Sequence, residues 1–213
     1  MRKLKTALKE KSGATANLTL DIETEVRDKD GNLISTHKQT SKSLLKNFAL
    51  ALRALMYGNI SSQIATIKDM SEVNRTYPHA SGINDEIFNC NALVTDSLFG
   101  VLCGKGTTAV TRDDWKLSNQ MTHGSTIDKL SYGATSVEAP DGAPPITTWR
   151  ILRTFTNNYS ASQTVYEVAL AFHFTGYGAA SWYFLIARDV LATPQAIPVG
   201  ATLIVRYIFS VTA

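Results

Sequence analysis

The chain has 213 residues, of which 44% are apolar and 18% charged, and its net charge is +3. That is the composition of an ordinary globular protein; it excludes a disordered polymer, and the small net charge excludes a surface built throughout for nucleic acid. No apolar run approaches the length of a spanning helix, and the basic start lacks the apolar core of a signal peptide, so a soluble protein made in a cytoplasm is expected.

The charge is unevenly placed. Residues 1–15 read as a basic arm, where Arg2, Lys3, Lys5, Lys9 and Lys11 stand against Glu10 alone; the arm is +4 and the remainder of the chain −1. Such an arm solvates a chain end or touches an anionic surface locally. Next, ANLTLDIETEVR alternates cleanly. Ala16, Leu18, Leu20, Ile22 and Val26 share one face, with Asn17, Thr19, Asp21, Glu23, Glu25 and Arg27 on the other, which predicts a half-buried strand. Asp30-Gly31 supplies the left-handed positions of a tight turn, and LISTHKQT returns as the hairpin partner.

KSLLKNFALALRALMYG changes period. Leu44, Leu45, Phe48, Ala49, Leu52, Leu55 and Met56 recur at helical spacing and predict one amphipathic helix over about 42–57. Ser41 or Ser43 would cap its start and Gly58 its end, with Lys42, Lys46, Asn47 and Arg53 on a solvated face. Residues 59–97 are irregular, and long loops with one or two short strands are expected there.

From Leu98 onward strand follows strand: SLFGVLCG, DKLSYGATSVE, TTWRILRTFTNN, QTVYEVALAFHF, SWYFLIARDVL and ATLIVRYIFSVT. In the fourth of these, Tyr166, Val168, Leu170, Phe172 and Phe174 face one way, and Glu167, Ala169, Ala171 and His173 the other. Many strands at short spacing without alternating helices predict a mainly β fold, an antiparallel sandwich or jelly-roll-like domain over residues 16–213. Cys90 and Cys103 lie in apolar strand-like contexts, and buried free thiols are the expected state, although one disulfide is also compatible.

GVLCGKGTT is the stretch that most resembles a reactive site. A phosphate loop of the Walker type needs two glycines separated by four residues, then lysine and a hydroxyl residue, opening a helix. Here Gly100 and Gly104 are one residue too close, Gly106 stands where the hydroxyl belongs, and β-branched residues follow. The stretch therefore reads as a strand ending in a glycine turn, with Lys105 free to meet a neighbour. His37, His79, His123 and His173 have no metal-ligand spacing, Asp113 and Asp114 are adjacent and would diverge on a strand, and there is no G-x-S-x-G elbow. No enzyme activity and no cofactor are expected. Trp149 and Trp182 lie within strands and read as packing residues, whereas Tyr159 and Tyr177 lie in turns and are candidate contact residues. The alternative they raise is a β-sandwich module that binds glycans or a receptor.

Two stretches carry a resemblance. SLFGVLCGKGTTAVTRDDWKLSNQMTHGS is similar to a pattern of tailed-bacteriophage virion proteins. So is the later run containing F-x-N-N, V-x-E-V-A-L, L-I-A-R-D-V and V-G-A-T-L-x-V-x-Y, so that residues 97–211 are covered. The resemblance implies a structural role in a phage particle, at the capsid surface, neck or tail. The partners would be further copies of the chain and other virion proteins, without a membrane and without sequence-specific nucleic acid. The candidate interface residues are Arg2, Lys3, Lys5, Lys9, Lys11, Lys105, Tyr159 and Tyr177. Arg188 and Asp189, at a strand end, are expected to pair within the chain or across subunits.

Overall fold

The computed structural model describes residues 17–41, 43–57, 65–77, 88–176 and 180–212. They form strands β1 (Asn17–Arg27), β2 (Leu33–Thr40), β3 (Ala65–Lys68), β4 (Asn74–Tyr77), β5 (Gly100–Gly104), β6 (Thr122–His123), β7 (Lys129–Val137), β8 (Ile146–Thr156), β9 (Gln163–Gly176), β10 (Ala180–Ile197) and β11 (Thr202–Thr212), with one helix, α1 (Lys46–Tyr57). A six-stranded sheet, ordered β2-β1-β11-β8-β7-β6, faces a three-stranded sheet, β10-β9-β5, and β3 and β4 make a small separate hairpin. Every ladder is antiparallel except the two-residue contact of β6 with β7. The fold is thus mainly β, sandwich-like, and opens on a hairpin.

Strand alternation builds the core. On β11, Leu203, Val205, Tyr207 and Phe209 are buried, and Ile151 and Phe155 of β8 and Leu20, Ile22 and Val26 of β1 join them. Leu170 of β9 lines one apolar groove together with Ile151 and Phe209 of the large sheet. At the start of β1 the pattern runs out: Leu18 is 44% exposed, although its spacing puts it on the buried face. The first hairpin turns where expected. Of the Asp30-Gly31 pair, Gly31 takes a left-handed φ of +85° but Asp30 does not: the loop spans residues 28–32 and is shaped instead by the Asp28 carboxylate, which accepts from the N–H groups of Asp30 and Asn32, both at 2.9 Å.

The helix differs from its sequence reading in two ways. It begins at Lys46, because the residues before it are claimed by β10: Leu44 bridges Ala187, and the Leu45 N–H donates to the Ile186 carbonyl at 2.9 Å. Ser41 donates to the Asp189 carboxylate and Ser43 to the Arg188 carbonyl, and with the helix starting at Lys46 both stand upstream of the cap position. Second, Asn47 is buried, not solvated, and its amide donates to the Lys68 carbonyl at 3.1 Å, while Ala49 is exposed. Lys42, Gly58 and His79 lie outside the described residues. In the 59–97 region the expected short strands are β3 and β4, joined by a turn around Asp69, which accepts from the Ser71 and Val73 N–H groups and pairs with Arg75 at 2.7 Å.

One side chain ties the irregular segment 93–101 to the large sheet. Arg153 on β8 is fully buried and points between the sheets. Its Nε donates to the Gly133 carbonyl, Nη1 to those of Phe99 and Val101, and Nη2 to those of Leu93 and Asp96. A guanidinium has five N–H groups, and all of them are used on main-chain oxygens. Its face also lies over the Tyr132 ring, 4.6 Å from the centroid. Replacing it leaves these carbonyls without their donors. Arg153→Met is expected to lower the unfolding free energy by about 3 kcal/mol in urea titrations, and a loss below about 1 kcal/mol would show that the segment is held by other means.

Candidate functional site

The glycine stretch singled out by the sequence lies over the most charged part of the interior. Glu167 on β9 is fully buried, in the middle of a strand whose two faces are both covered. In the ladder it stands opposite Gly104 of β5, and its neighbour on the same face, Ala169, stands opposite Arg188 of β10. Arg188 is therefore one diagonal step from Glu167, and its Nε donates to Glu167 Oε2 at 2.8 Å.

Residues 105–119 lie across this pair as a strap. Glu167 Oε1 accepts from the Gly106 N–H at 3.0 Å and the Asn119 N–H at 2.8 Å, and Oε2 accepts from the Ser118 N–H at 3.2 Å. Arg188 reaches the strap from below, with Nη1 on Asp114 Oδ2 at 2.7 Å and Nη2 on the Thr108 carbonyl at 3.0 Å. The two glycines permit the close approach. A Cβ on Gly106 would lie 2.3 Å from Glu167 Oε1, and one on Gly104 would lie 2.5 Å from the Asn119 carbonyl oxygen. Neither glycine needs a left-handed backbone; both are there for clearance.

Asp114 closes its own turn while holding Arg188. Its carboxylate accepts from the Thr111 N–H at 3.1 Å and hydroxyl at 2.6 Å. Burial pushes its pKa up, but the hydrogen bonds from Thr111 and the guanidinium of Arg188 outweigh that and hold it below the ordinary carboxylate range. Of the acidic pair, Asp114 makes the turn, and exposed Asp113 pairs with Lys46 at 3.5 Å.

This arrangement is chemically closed. Glu167 has no contact with solvent, its oxygens are taken up by main-chain donors and Arg188, and Arg188 is 2% exposed. A general acid or base must meet a reacting atom, and no face of Glu167 is open for one. Lys105 points away and pairs with Asp128. Arg188 thus pairs within the chain, as one of the two expected arrangements had it, and Asp189 accepts from Ser41 Oγ at 2.8 Å.

The other sequence candidates are scattered. Tyr159 is half-buried on the turn made by Asn157, whose Oδ1 accepts the Tyr159 N–H at 3.0 Å. Tyr177 and the arm residues Arg2, Lys3, Lys5, Lys9 and Lys11 lie outside the described residues. Cys90 and Cys103 are free and buried, and burial pushes both thiols up to about 12. His173 forms a three-ring cluster with Phe99 and Tyr183, its ring centroid 5.2 Å from each and theirs 5.8 Å apart. Among the described residues no three His, Cys, Asp or Glu side chains are grouped to hold a metal, and no helix is long and apolar enough to cross a membrane. Glu167 and Arg153 were not singled out from the sequence. Their signal was a charge set among apolar strand residues, in VYEVAL and, beside Arg150, in RILRTF.

Comparison of the chain with protein-family models, with curated proteins and with solved structures gave no match.

Two predictions follow from the strap. Glu167→Ala leaves the buried Arg188 Nε–H and three main-chain N–H groups without acceptors and is expected to cost about 3–5 kcal/mol of unfolding free energy, while Gly106→Ala costs about 1–3 kcal/mol through overlap alone. Chemical denaturation measures both, and a neutral Gly106→Ala would contradict the close approach. The second concerns pH. The folded pKa of Asp114 lies below its unfolded value, so its contribution is complete above the unfolded value and is lost as pH falls through the folded one. Wild type should lose stability on acidification through and below the ordinary carboxylate range more steeply than Asp114→Asn; equal slopes would remove Asp114 from the clasp.

Proposed function

We propose that this chain is a non-enzymatic structural protein of a tailed-phage particle, made in the host cytoplasm and working as a homo-oligomer beside other virion proteins. The observation that carries the reading is where the sequence patterns behind the resemblance fall. F-x-N-N closes β8 and places Asn157 just past it, a buried side chain whose amide donates to the Ala161 and Ile197 carbonyls. V-x-E-V-A-L carries Glu167 on β9, L-I-A-R-D-V carries Arg188 on β10, and V-G-A-T-L-x-V-x-Y runs into β11. The glycine-threonine loop and acidic pair are the strap. Each pattern specifies a brace of the scaffold, and the most charged cluster is consumed in holding a loop still. A sandwich with firmly held loops is what repeated subunit contacts require.

The test is direct. Peptides of this chain should be found by mass spectrometry in purified particles of the phage that encodes it, at a copy number that fits a symmetric assembly, and the purified chain should form multimers. A chain absent from particles and monomeric in isolation would refute the reading.

A further inference from the structure

The clasp is closed around Glu167, but Arg188 also lines a dish at the surface of the strap. Thr108, Asp114, Trp115, Leu117 and Ser118 form the rest of its wall, and its volume is about 160 Å³. That is the space of about five liquid waters, or of one small ring with its hydroxyl groups. Arg188 has five N–H groups and uses three. Nε bonds Glu167, one N–H of Nη1 bonds Asp114, and one of Nη2 bonds the Thr108 carbonyl. The second N–H on each terminal nitrogen meets no acceptor among the described residues. Buried donors of this kind are paired, with water if with nothing else, and the dish is a space from which such acceptors can come.

The surroundings narrow the chemistry of the acceptor. Two carboxylates, Glu167 and Asp114, already match the charge of Arg188, so a third anion gains little. Lys116, next along the strap, has its Nζ drawn off to Glu72 at 2.7 Å. What remains is uncharged and two-sided. The Thr108 and Ser118 hydroxyls are exposed, stand 3.2 Å apart, and each can donate or accept. Trp115 is half-buried, with Lys68 Nζ 3.4 Å from the centroid of its ring, and Leu117 is buried beside it. An indole and an aliphatic side chain thus stand close to a guanidinium, a carboxylate and two hydroxyls.

We propose that the dish binds one uncharged sugar residue of a glycan. The apolar side of the ring packs on Trp115, one ring hydroxyl accepts from Arg188, and a neighbouring hydroxyl bonds the Thr108–Ser118 pair. Hydroxyls suit this rim because each both gives and takes a hydrogen bond, and an aromatic side chain supplies contact area at small entropic cost. The strap is already fastened by Glu167, so no loop has to be ordered when the sugar arrives. A single ring in so small a site binds in roughly the millimolar range. The site is an addition to the particle role and stands whether or not the chain assembles.

Saturation-transfer NMR on the full chain tests it, with the methyl glycosides of the common hexoses and N-acetylhexosamines as probes. At least one of them should receive saturation and shift the Trp115 indole N–H resonance, whereas acetate and glycerol at the same concentration should not. Thr108→Val with Ser118→Ala should weaken that binding about fivefold or more and leave the melting curve unchanged, since both side chains are exposed and the clasp uses only their main-chain groups. Trp115→Ala should abolish binding; should it fail to fold, the hydroxyl variant decides alone. Tyr159→Ala, on a separate turn, should bind as wild type does. No saturation of any glycoside, acetate moving the indole resonance more than the sugars do, or unchanged binding in the hydroxyl variant would overturn the site. A dish silent to sugars in a chain found in particles removes this site alone; a sugar bound by a chain absent from particles removes the particle role alone.

Discussion

A carboxylate placed where water cannot reach it must find its ligands inside the protein, and Glu167 dictates much of what surrounds it. Its oxygens collect three main-chain N–H groups and one guanidinium N–H. For those amides to come within reach, the chain leaving β5 must pass directly over the carboxylate, and that path exists only because Gly104 and Gly106 have no side chains. Ala169 leaves room for Arg188 to cross from the next strand, and Arg188 needs an acceptor at each of its other two nitrogens, which Asp114 and Thr108 supply. The glycine loop does use its main chain to hold an anion, as a phosphate loop would. The anion is the protein's own.

Arg153 solves the mirror-image problem on the other side of the small sheet. It is a buried cation met by carbonyl dipoles and an aromatic face, with no carboxylate bound to it among the described residues. The two arginines divide the irregular chain between them: Arg188 holds the strap after β5, and Arg153 holds the segment before it. Hydrophobic burial supplies the driving force for the sandwich, since the cluster of buried aliphatic and aromatic side chains spans both sheets. The buried charges add little net stability over apolar residues of the same shape, but they determine which loop conformation accompanies the fold. Loops fixed in this way suit a protein whose work is to meet neighbours in one geometry.

The parts of the fold legible in the sequence were those governed by local physics. Asp30-Gly31 announces its turn because glycine takes the left-handed conformation that Gly31 adopts there, and β9 and β11 announce themselves by alternation. Local rules failed where a distant strand competed. Ser41 and Ser43 have the chemistry of helix caps, yet the edge of β10 takes both, and the helix starts later. Asn47 sits at a polar helical position and is drawn inward by a carbonyl on β3. Glu167 was visible as a single charge and Arg188, with Asp189, as a charged pair within apolar runs, and Gly104 and Gly106 as a glycine-rich turn. Only strand register brings them together, and register is a property of the folded sheet.

Amide hydrogen exchange on the folded chain tests the central claim most directly. If Glu167 is the anion that the glycine loop was shaped to hold, the N–H groups of Gly106, Ser118 and Asn119 will exchange slowly, together with the β9 amides beneath them, although Ser118 and Asn119 lie at the surface. Exchange of these three amides as fast as that of an unstructured chain would contradict the claim, because the strap would then be a free loop and its glycines would need another explanation.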